Sequence, residues 1–596
     1  MSEVVGKSEG KGKTAIRQKK KSQIESDQEQ DCFSSIFCSA QKNDPPADPE
    51  ILEHLDKSDK NLNVEIKTAS AHYPPGSSDN VKEINEKAKR SGIMYVDQEF
   101  PPTQDSLFKI DKLAALKGES TSPTDDGNLP LIEWRRPQDF LNGTAANIFD
   151  GKIEFNDISQ GQLGDCWLLC SIAALSEFEY LVKQLFVEDE CNVENGTFVV
   201  KLCKDGFWQT IVLDSFVPCI PKGGPIYSKA NGPELWVILL EKAFAKYNGS
   251  YAAIRSGFPY EALYDLTGAP CKEILIEDEN TQAAIEDGSL WRKLVKYDSY
   301  SYVMTLATPG EDNMTEGGER NGGGLVPGHA YTLIGVHEQN DIKLCKIRNP
   351  WGSFEWNGDW CDSDSKWTEE LKKEFGHSTG DDGIFFMSFE DVVREFVGIN
   401  ICLIRHKSQT KVAPWKEERK KFEYKFKSDG ICILYFKLLP NILIFVCIYM
   451  YKTLDGHGVE SVPLFRLVVS EPNAELFAIV HQPDKRRIGT PVYFDIGVTI
   501  LKEVGTKKYE VMASSGNAVD RQHQLECNPG TLGAGTYIVV PTSTGCIVEN
   551  ERQKAKKVGK NITQDDLNRQ AVLSFHCEYT KHPTNIISFY IHNKYT

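Results

Sequence analysis

The sequence predicts an α+β fold in which a mainly helical segment is followed by a β-rich segment, with a separate all-β unit after both. Segments 167–178 and 234–247 carry apolar residues at helical spacing, and 329–336 and 343–349 are consecutive apolar runs typical of strands. After residue 405 the chain changes to short β runs separated by turn residues, which indicates a β-sandwich. A helical part followed by a β part predicts two lobes that flank a cleft.

Composition limits the class of protein. The 596 residues exceed what one hydrophobic core organises and suggest about three or four units. The hydrophobic content of 40% and the mean hydropathy of -0.39 are low for a globular protein, so part of the chain is expected to be unfolded. The formal charge of -17 argues against a nucleic-acid partner, because phosphate binding requires a basic surface.

The cysteines predict free thiols rather than a disulfide framework. Sixteen of them are scattered from Cys32 to Cys577 without regular spacing. The first residues of the chain are polar and basic and lack the apolar core of a secretory signal. We therefore expect a cytoplasmic protein whose thiols are kept reduced.

Two segments do not fit an ordered globular pattern. Residues 1–97 alternate basic and acidic runs without a sustained apolar period, and we predict a disordered extension there. For the basic stretch 17–21, a solvated tail is favoured over contact with an anionic membrane. Segment 431–451 is almost wholly apolar but contains Lys437 and Pro440. A membrane-inserted segment, buried sandwich strands and an aberrant insertion, such as translated non-coding sequence, all remain open for it.

The segment QGQLGDCWLLC, residues 160–170, contains the candidate nucleophile Cys166. We expect Cys166 to begin a helix, where the positive end of the helix dipole favours the thiolate. Gly164 and Asp165 would supply the turn and a capping carboxylate. Gln160 lies one loop upstream, so its side-chain amide and the Cys166 backbone N–H can form an oxyanion hole. Taken alone, the segment also suits a buried structural cysteine.

Two later motifs supply a base and a group that orients it. His329 in PGHAYTLIGV heads a predicted strand, where it can remove the thiol proton and later protonate the leaving amine. Asn349 in KIRNPWGSFEW ends the next strand, and its side-chain carbonyl can accept from the His329 ring. Trp351 can cover that hydrogen bond and exclude water. Each motif alone is compatible with a structural histidine or a turn-forming asparagine, but together with Cys166 they predict a cysteine peptidase.

The blocks QGQLGDCWLL, GHAY and RNPWG resemble the three catalytic blocks of the calpain family. The resemblance continues in EWRRPQDF (133–140), in the helix within 234–251 and in GDDGIFFMSFEDVVREF (380–396). It implies a two-lobed papain-like protease core. Subdomain 1, at 98–255, would carry the cysteine, and subdomain 2, at 256–404, the histidine and asparagine.

By the same resemblance, the lobes meet near Ser256 and Gly257. Residues 405–596 resemble the C2-like β-sandwich domain of the family, best at GTLGAGTYIVVPTSTG. The sequence contains no EF-hand loop pattern, so the calcium-binding helical domain of conventional members is not expected. The chain is thus predicted to be an atypical calpain.

The resemblance further implies that Ca²⁺ assembles the cleft, with one site in each lobe. In the first lobe, Asp157 and Glu234 stand where the family places carboxylate ligands. Phe149 and Gly151 would offer backbone oxygens there. Carboxylates without a metal are the alternative.

In the second lobe, the matching carboxylate positions are Glu355, Asp362 and Asp382. A remaining acidic position of the family falls on Ile384, which cannot coordinate a metal. Because Ca²⁺ takes six to eight oxygen ligands, we expect the second site to be weaker than the first. Carboxylates without a metal are again the alternative.

These observations predict a calcium-dependent intracellular cysteine endopeptidase that makes limited cuts in protein substrates. One alternative is a membrane- or partner-binding protein in which the protease is catalytically vestigial and the C2-like domain acts; the filled Cys, His and Asn positions argue against it. Another is an acyl-transfer enzyme of Cys-His type, such as a transglutaminase or deubiquitinase, which the Gln and Trp contexts disfavour. An anionic membrane, contacted through the C2-like domain, is a further expected partner and would make the cytoplasmic protein membrane-associated.

Overall fold

The computed structural model describes most of the segment between residues 81 and 405 and the strands that follow it. The described ranges are 81–108, 132–230, 232–310, 323–377, 379–380, 382–405, 415–426, 459–461, 465–469, 476–482, 484, 486, 496–505, 508–518, 521–527, 531–542 and 569–578. Residues 1–80 and segment 431–451 lie outside them, so the predictions for both stay predictions. Among the described residues, none of the helices is long and apolar enough to cross a membrane.

The first part of the core is built around two buried helices, α4 and α6. Its helices and strands are α1 Val81–Ser91, α2 Gln104–Leu107, β1 Glu133–Arg135, α3 Pro137–Phe140, β2 Ile158–Ser159, α4 Cys166–Ser176, α5 Glu179–Lys183, β3 Thr197–Lys204, β4 Phe207–Asp214, β5 Val217–Cys219, β6 Lys229–Ala230 and α6 Trp236–Asn248. Three 3-10 turns lie at Phe155–Asp157, Glu188–Glu190 and Tyr251–Ile254. The strands form three antiparallel pairs, β1 with β5, β2 with β6 and β3 with β4.

Helices α4 and α6 lie where the apolar spacing predicts them. Every residue of α4 is buried, because CWLLCSIAALS carries almost no polar side chain. Helix α6 ends at Gly249, whose φ of 101° lies in the left-handed region that closes helices and favours glycine. Both helices therefore belong to the interior of this lobe and can hold functional groups rigidly at their ends.

The second part of the core is a six-stranded antiparallel sheet with helices. Its elements are α7 Pro259–Thr267, β7 Cys271–Leu275, α8 Glu279–Glu286, α9 Ser289–Ser299, β8 Val303–Ala307, β9 Ala330–Gln339, β10 Ile342–Arg348, α10 Glu369–Phe375, β11 Ile384–Ser388, α11 Phe389–Glu395 and β12 Gly398–Cys402. The strand order is β11-β10-β9-β8-β12-β7. The Thr332 hydroxyl on β9 donates to the Cys170 carbonyl on α4 at 3.2 Å, so the nucleophile helix packs directly on this sheet.

After residue 405 the described residues form two antiparallel sheets. Their strands are β13 Trp415–Phe426, β14 Val459–Ser461, β15 Phe465–Val469, β16 Leu476–His481, β17 Ile496–Gly505, β18 Lys508–Ala518, β19 Gln522–Cys527, β20 Gly535–Thr542 and β21 Arg569–Glu578. One sheet has the order β14-β13-β21-β16-β19 and the other β15-β20-β17-β18. Strand β19 contacts both β17 and β18 of the other sheet, and Phe477 and Ile479 of β16 join the apolar core of the lobes. The C2-like identity of this unit stays a prediction.

The predicted disorder of residues 1–97 is wrong for its last part. Helix α1 lies within it and buries one apolar stripe against β3 and β4. The stripe consists of Val81, Ile84 and Ala88. These side chains recur at helical spacing, but they are few and stand among charged neighbours, so the charge pattern concealed a short amphipathic helix.

Candidate active site

Cys166 is the first residue of α4 and is only 2% exposed. The turn before it depends on Gly164, which adopts a φ of 70°, in the left-handed region. The Gly164 carbonyl accepts a hydrogen bond from the Ser256 backbone N–H at 3.0 Å. The turn that presents the thiol is therefore tied to the point where the two lobes were predicted to meet. At the start of a helix the thiol lies at the positive end of the helix dipole, which favours an anion.

Asp165 does not cap helix α4 as the sequence predicted. Its side chain makes no capping hydrogen bond, and it is fully buried. It lies instead beside the carboxyl group of Glu241 on α6, whose pKa is raised by burial and by the charge and hydrogen bond of Asp165. A protonated Glu241 can donate to Asp165, so the local cap is replaced by a buried contact between α4 and α6.

His329 and Asn349 come together at the ends of neighbouring strands. His329 directly precedes β9 and Asn349 directly follows β10. The His329 Nε2 lies 2.9 Å from the Asn349 Oδ1, which must accept, so the proton is on Nε2 and the lone pair on Nδ1. The Nδ1 atom is buried and has no hydrogen-bond partner among the described residues. Burial lowers the pKa of His329 to about 4, opposed by the Asn349 hydrogen bond, so the imidazole is neutral and able to accept a proton at neutral pH.

Asn349 is itself held by several hydrogen bonds. Its Nδ2 donates to the Phe354 carbonyl at 3.2 Å, and its backbone N–H donates to the Gly383 carbonyl at 2.8 Å. Its Oδ1 also accepts from the Trp351 backbone N–H at 3.1 Å. With both ends of the amide engaged, the carbonyl oxygen is fixed toward the histidine ring.

Trp351 covers this pair and reaches the other lobe. Its ring centroid lies 4.5 Å from that of His329. Its indole N–H donates to the Gln160 Oε1 at 2.8 Å. An open cavity of about 500 Å³ lies beside it, lined on one side by β2 and β6 and on the other by residues including Arg348 and Asp382. The cleft thus has walls from both lobes.

The candidate calcium residues of the first lobe are brought together by the turn at 155–157 and the start of α6. Asp157 and Glu234 share a side-chain hydrogen bond, and the Asp150 backbone, between Phe149 and Gly151, also bonds to the Glu234 carboxylate. Burial, and after it the charge of Asp157, together raise the pKa of Glu234 to about 7. Burial also raises the pKa of Asp157. A half-buried and a buried carboxyl group that share a hydrogen bond, with the charge of Asp157 opposing the ionisation of Glu234, fit a site for a hard cation.

The candidate calcium residues of the second lobe are less well suited to binding Ca²⁺ than those of the first. Burial and the nearby charge of Asp382 raise the pKa of Asp362 to about 6. Asp382 and Glu355 each already accept a backbone N–H, from Ile384 and Gly383 respectively, both at 2.9 Å. Ile384 belongs to β11 and offers no oxygen from its side chain. The set therefore fits Ca²⁺ only in part.

Taken over the described residues, no group of three or more His, Cys, Asp or Glu side chains is close enough to form a metal site. A calcium ion in the first lobe would therefore depend on backbone oxygens as well as on the two carboxylates, in line with the expected role of Phe149 and Gly151. His377 was missed by sequence reasoning. Its Nε2 lies 3.4 Å from Asp362 Oδ1, so the ring lies beside a candidate ligand oxygen.

Comparison with known proteins decides the family. The family described as "Calpain family cysteine protease" matches residues 95–403, about half of the chain. The chain belongs to this family. The match contains Cys166, His329 and Asn349, and it begins and ends within a few residues of the predicted core.

The calpain resembles both plant and animal relatives. It is 34% identical over 317 residues to the calpain-type cysteine protease ADL1 of Oryza sativa subsp. japonica, covering 52% of this chain and 14% of the rice protein. It is 31% identical over 341 residues to calpain-9 of Rattus norvegicus, covering 55% of this chain and 45% of that protein. The chain thus spans less than half the length of these relatives.

Three contacts of this calpain site were not predicted from its sequence. They are the Asp165–Glu241 contact, the His377–Asp362 contact and the Trp351–Gln160 hydrogen bond. Each joins residues that are not local neighbours in the chain, and a single sequence carries no signal for such pairs. Asp150 was also missed, although its place between the two predicted backbone ligands, Phe149 and Gly151, was a local signal.

Proposed function

We propose that this calpain is a calcium-dependent cysteine endopeptidase that makes limited cuts in flexible segments of protein substrates, with Cys166, His329 and Asn349 as its triad. The observation that carries the proposal is the 2.9 Å bond between His329 Nε2 and Asn349 Oδ1, which leaves a buried, unprotonated Nδ1 as base. The open cavity beside Trp351, with walls from both lobes, gives a substrate segment room next to the proposed triad.

In the first half of the reaction, the His329 Nδ1 accepts the Cys166 thiol proton. The thiolate attacks the peptide carbonyl carbon, and the carbonyl electron pair moves to oxygen. The Cys166 backbone N–H and the Gln160 amide donate to this oxyanion. The tetrahedral intermediate then collapses, the C–N bond breaks, and the imidazolium gives its proton to the leaving amine.

In the second half, His329 takes a proton from water as the water oxygen attacks the thioester. A second oxyanion forms in the same hole and collapses, which releases the new carboxyl terminus. The imidazolium returns its proton to the Cys166 sulfur. Asn349 keeps the ring in one orientation throughout, because its own amide is held at both ends.

For calcium, Asp157 and Glu234 would hold the ion in the first lobe, with backbone oxygens of Phe149 and Gly151. In the second lobe Glu355, Asp362 and Asp382 would form a weaker site. A bound Ca²⁺ supplies positive charge that removes the repulsion between carboxylates. In this chain the Phe155–Asp157 turn leads directly into β2 and the Gln160 loop. An ion held at Asp157 would therefore also fix the position of Gln160, the proposed oxyanion donor.

The deciding experiment is casein digestion by the purified full chain, with calcium and with chelator, beside Cys166→Ala. We expect cleavage only with calcium and only by the unaltered chain, with a loss of several powers of ten in the variant. Substantial digestion by a folded Cys166→Ala variant would overturn the assignment of the nucleophile. No digestion by either protein, together with binding to anionic vesicles, would favour the alternative in which the C2-like domain acts and the protease is vestigial.

The domain organisation is proposed on the same basis. Subdomains 98–255 and 256–404 form the protease, and 405–596 form a C2-like domain that contacts protein partners or an anionic membrane. A cytoplasmic location, with membrane association through that domain, belongs to this proposal. Fractionation of cells that express the full chain tests it directly.

A further inference from the structure

One hydrogen bond crosses the cleft between the two halves of the proposed catalytic machinery. Trp351, from the loop after β10, donates its indole N–H to the Oε1 of Gln160, which lies just after β2, at 2.8 Å. Both side chains are half-buried. Because Gln160 belongs to the loop before the nucleophile and Trp351 to the loop after Asn349, this bond connects the oxyanion donor with the base.

The chemistry of the indole decides which end of the Gln160 amide faces it. An indole N–H can only donate, so the atom opposite must be the amide oxygen. The amide nitrogen of Gln160 is therefore directed away from Trp351. Of the two ends of an amide, only the nitrogen can donate to an oxyanion. Without the indole, rotation of the amide by half a turn would place oxygen against the developing negative charge.

Trp351 is itself fixed by the residues that hold the base. Its backbone N–H donates to the Asn349 Oδ1 at 3.1 Å, and its ring lies 4.5 Å from the His329 ring. Phe354 contacts the indole edge to face at 5.8 Å. The indole therefore has little freedom when the His329–Asn349 pair is formed.

We propose that Trp351 is a positioning residue that sets the orientation of the Gln160 amide and thereby forms the oxyanion hole only when the two lobes are aligned. The inference rests on the proposed function, and it assigns Trp351 a task beyond covering the His329–Asn349 bond. The indole N–H holds the acceptor end of the amide, which leaves the donor end for the substrate oxygen. Substrate binding gains little from this contact, whereas the transition state gains a correctly directed donor.

The test is a double-mutant cycle in kcat with Trp351→Phe and Gln160→Ala, measured with a peptide substrate at saturating calcium. The phenylalanine keeps an aromatic ring over His329 and removes only the N–H. We expect Trp351→Phe to lower kcat about tenfold with KM nearly unchanged, and Gln160→Ala to lower kcat about a hundredfold. The double variant should be no slower than Gln160→Ala, because the indole has no amide left to orient.

Trp291→Phe is the matched control. The Trp291 indole also donates to a side-chain oxygen in the same lobe, that of Glu338 at 2.8 Å, but it lies on α9 and outside the cleft. Its loss should leave kcat unchanged. The acid limb of the pH profile of kcat/KM should also be the same in Trp351→Phe as in the unaltered chain, because the base is not changed.

Two results would overturn the inference. Multiplicative losses in the double variant would mean that Trp351 and Gln160 act independently, and a shifted acid limb in Trp351→Phe would mean that the indole acts through His329. Should Trp351→Phe fail to fold, Gln160→Glu offers the indole an acceptor but lacks the donor, and its kcat should fall about a hundredfold; unchanged turnover would refute the oriented-donor role. Activity in Cys166→Ala, by contrast, would overturn the proposed function itself.

Discussion

Six charged side chains meet in the interior where the β strands after residue 405 contact the protease core. The positive members are Lys204, Arg486 and Arg521, and the negative members are Glu261, Asp265 and Asp484. Asp484 is fully buried and contacts all three cations, at 3.5 Å from Lys204 and 3.2 Å from each guanidinium. Removal of its charge by Asp484→Asn would leave three buried positive groups facing two negative ones.

The expected cost follows from that imbalance. Removing one partner of a buried ion pair destabilises the folded protein by about 3–5 kcal/mol, because the remaining charge stays buried without an opposite charge. Burial alone would raise the pKa of Asp484, but the neighbouring cations hold it well below its usual range. A carboxylate with a depressed pKa stabilises the fold above the pKa of the unfolded chain, about 4, and this contribution is lost as the pH falls below it. The variant and the unaltered chain should therefore differ most at neutral pH.

Urea unfolding of the full chain, followed by fluorescence, is the assay. Asp484→Asn should lower the free energy of unfolding by about 3–5 kcal/mol. Adding Lys204→Met to this variant should recover part of the loss, because two charges of each sign then remain. Glu526→Gln is the control, since the Lys272–Glu526 pair joins the same two regions at 2.9 Å but keeps Glu526 29% exposed, so its loss should cost under about 1 kcal/mol. Equal effects of Asp484→Asn and Glu526→Gln, or strictly additive losses with Lys204→Met, would refute the reasoning.

Two further predictions concern the site. Asp157→Ala should abolish calcium activation of casein digestion. Asp382→Ala should only raise the calcium concentration required, because Ile384 supplies no ligand to the proposed second site. Equal loss of activation by both variants in a calcium titration would contradict this difference between the two sites. The acid limb of kcat/KM should lie nearer pH 4 than pH 6.5, because burial lowers the pKa of His329 to about 4, and Asn349→Ala should move the limb lower still, because the Asn349 hydrogen bond raises that pKa. An acid limb near pH 6.5 in the unaltered chain would show that the imidazole is solvated in the free enzyme.

The parts of this fold that follow from the sequence are those that depend on neighbours in the chain. Cys166 begins a helix because a glycine turn precedes a mostly apolar run, and His329 and Asn349 flank two consecutive strands that are rich in apolar residues. These local signals are enough to place the three residues at the ends of the elements. How the three ends come together is a property of the family, which the resemblance supplied.

The features that do not follow from the sequence depend on contacts between residues that are distant in the chain. Asp165 carries the signature of a helix cap, but the interior position of Glu241 on α6 decides its orientation. Lys204 looks like an ordinary charge at the end of a strand, yet it is fully buried because Asp265 lies 2.6 Å away. A buried charge has no local pattern that distinguishes it from a solvated one, so such networks can be found only from the structure.

The ring of Trp167 shows how these distant contacts reach the site. Trp167 follows Cys166 in α4, and its indole N–H donates to the Ile254 carbonyl, next to the predicted meeting point of the lobes, at 2.9 Å. A side chain at Gly257 would lie 2.5 Å from the same ring, so only glycine fits that close approach. The guanidinium of Arg486 lies on the ring, 4.8 Å from its centre. Helix α4, the junction of the lobes and the buried charge network therefore share the side chain of Trp167, which directly follows Cys166 in the chain. We therefore expect a substitution in the network to reach the thiol through this ring.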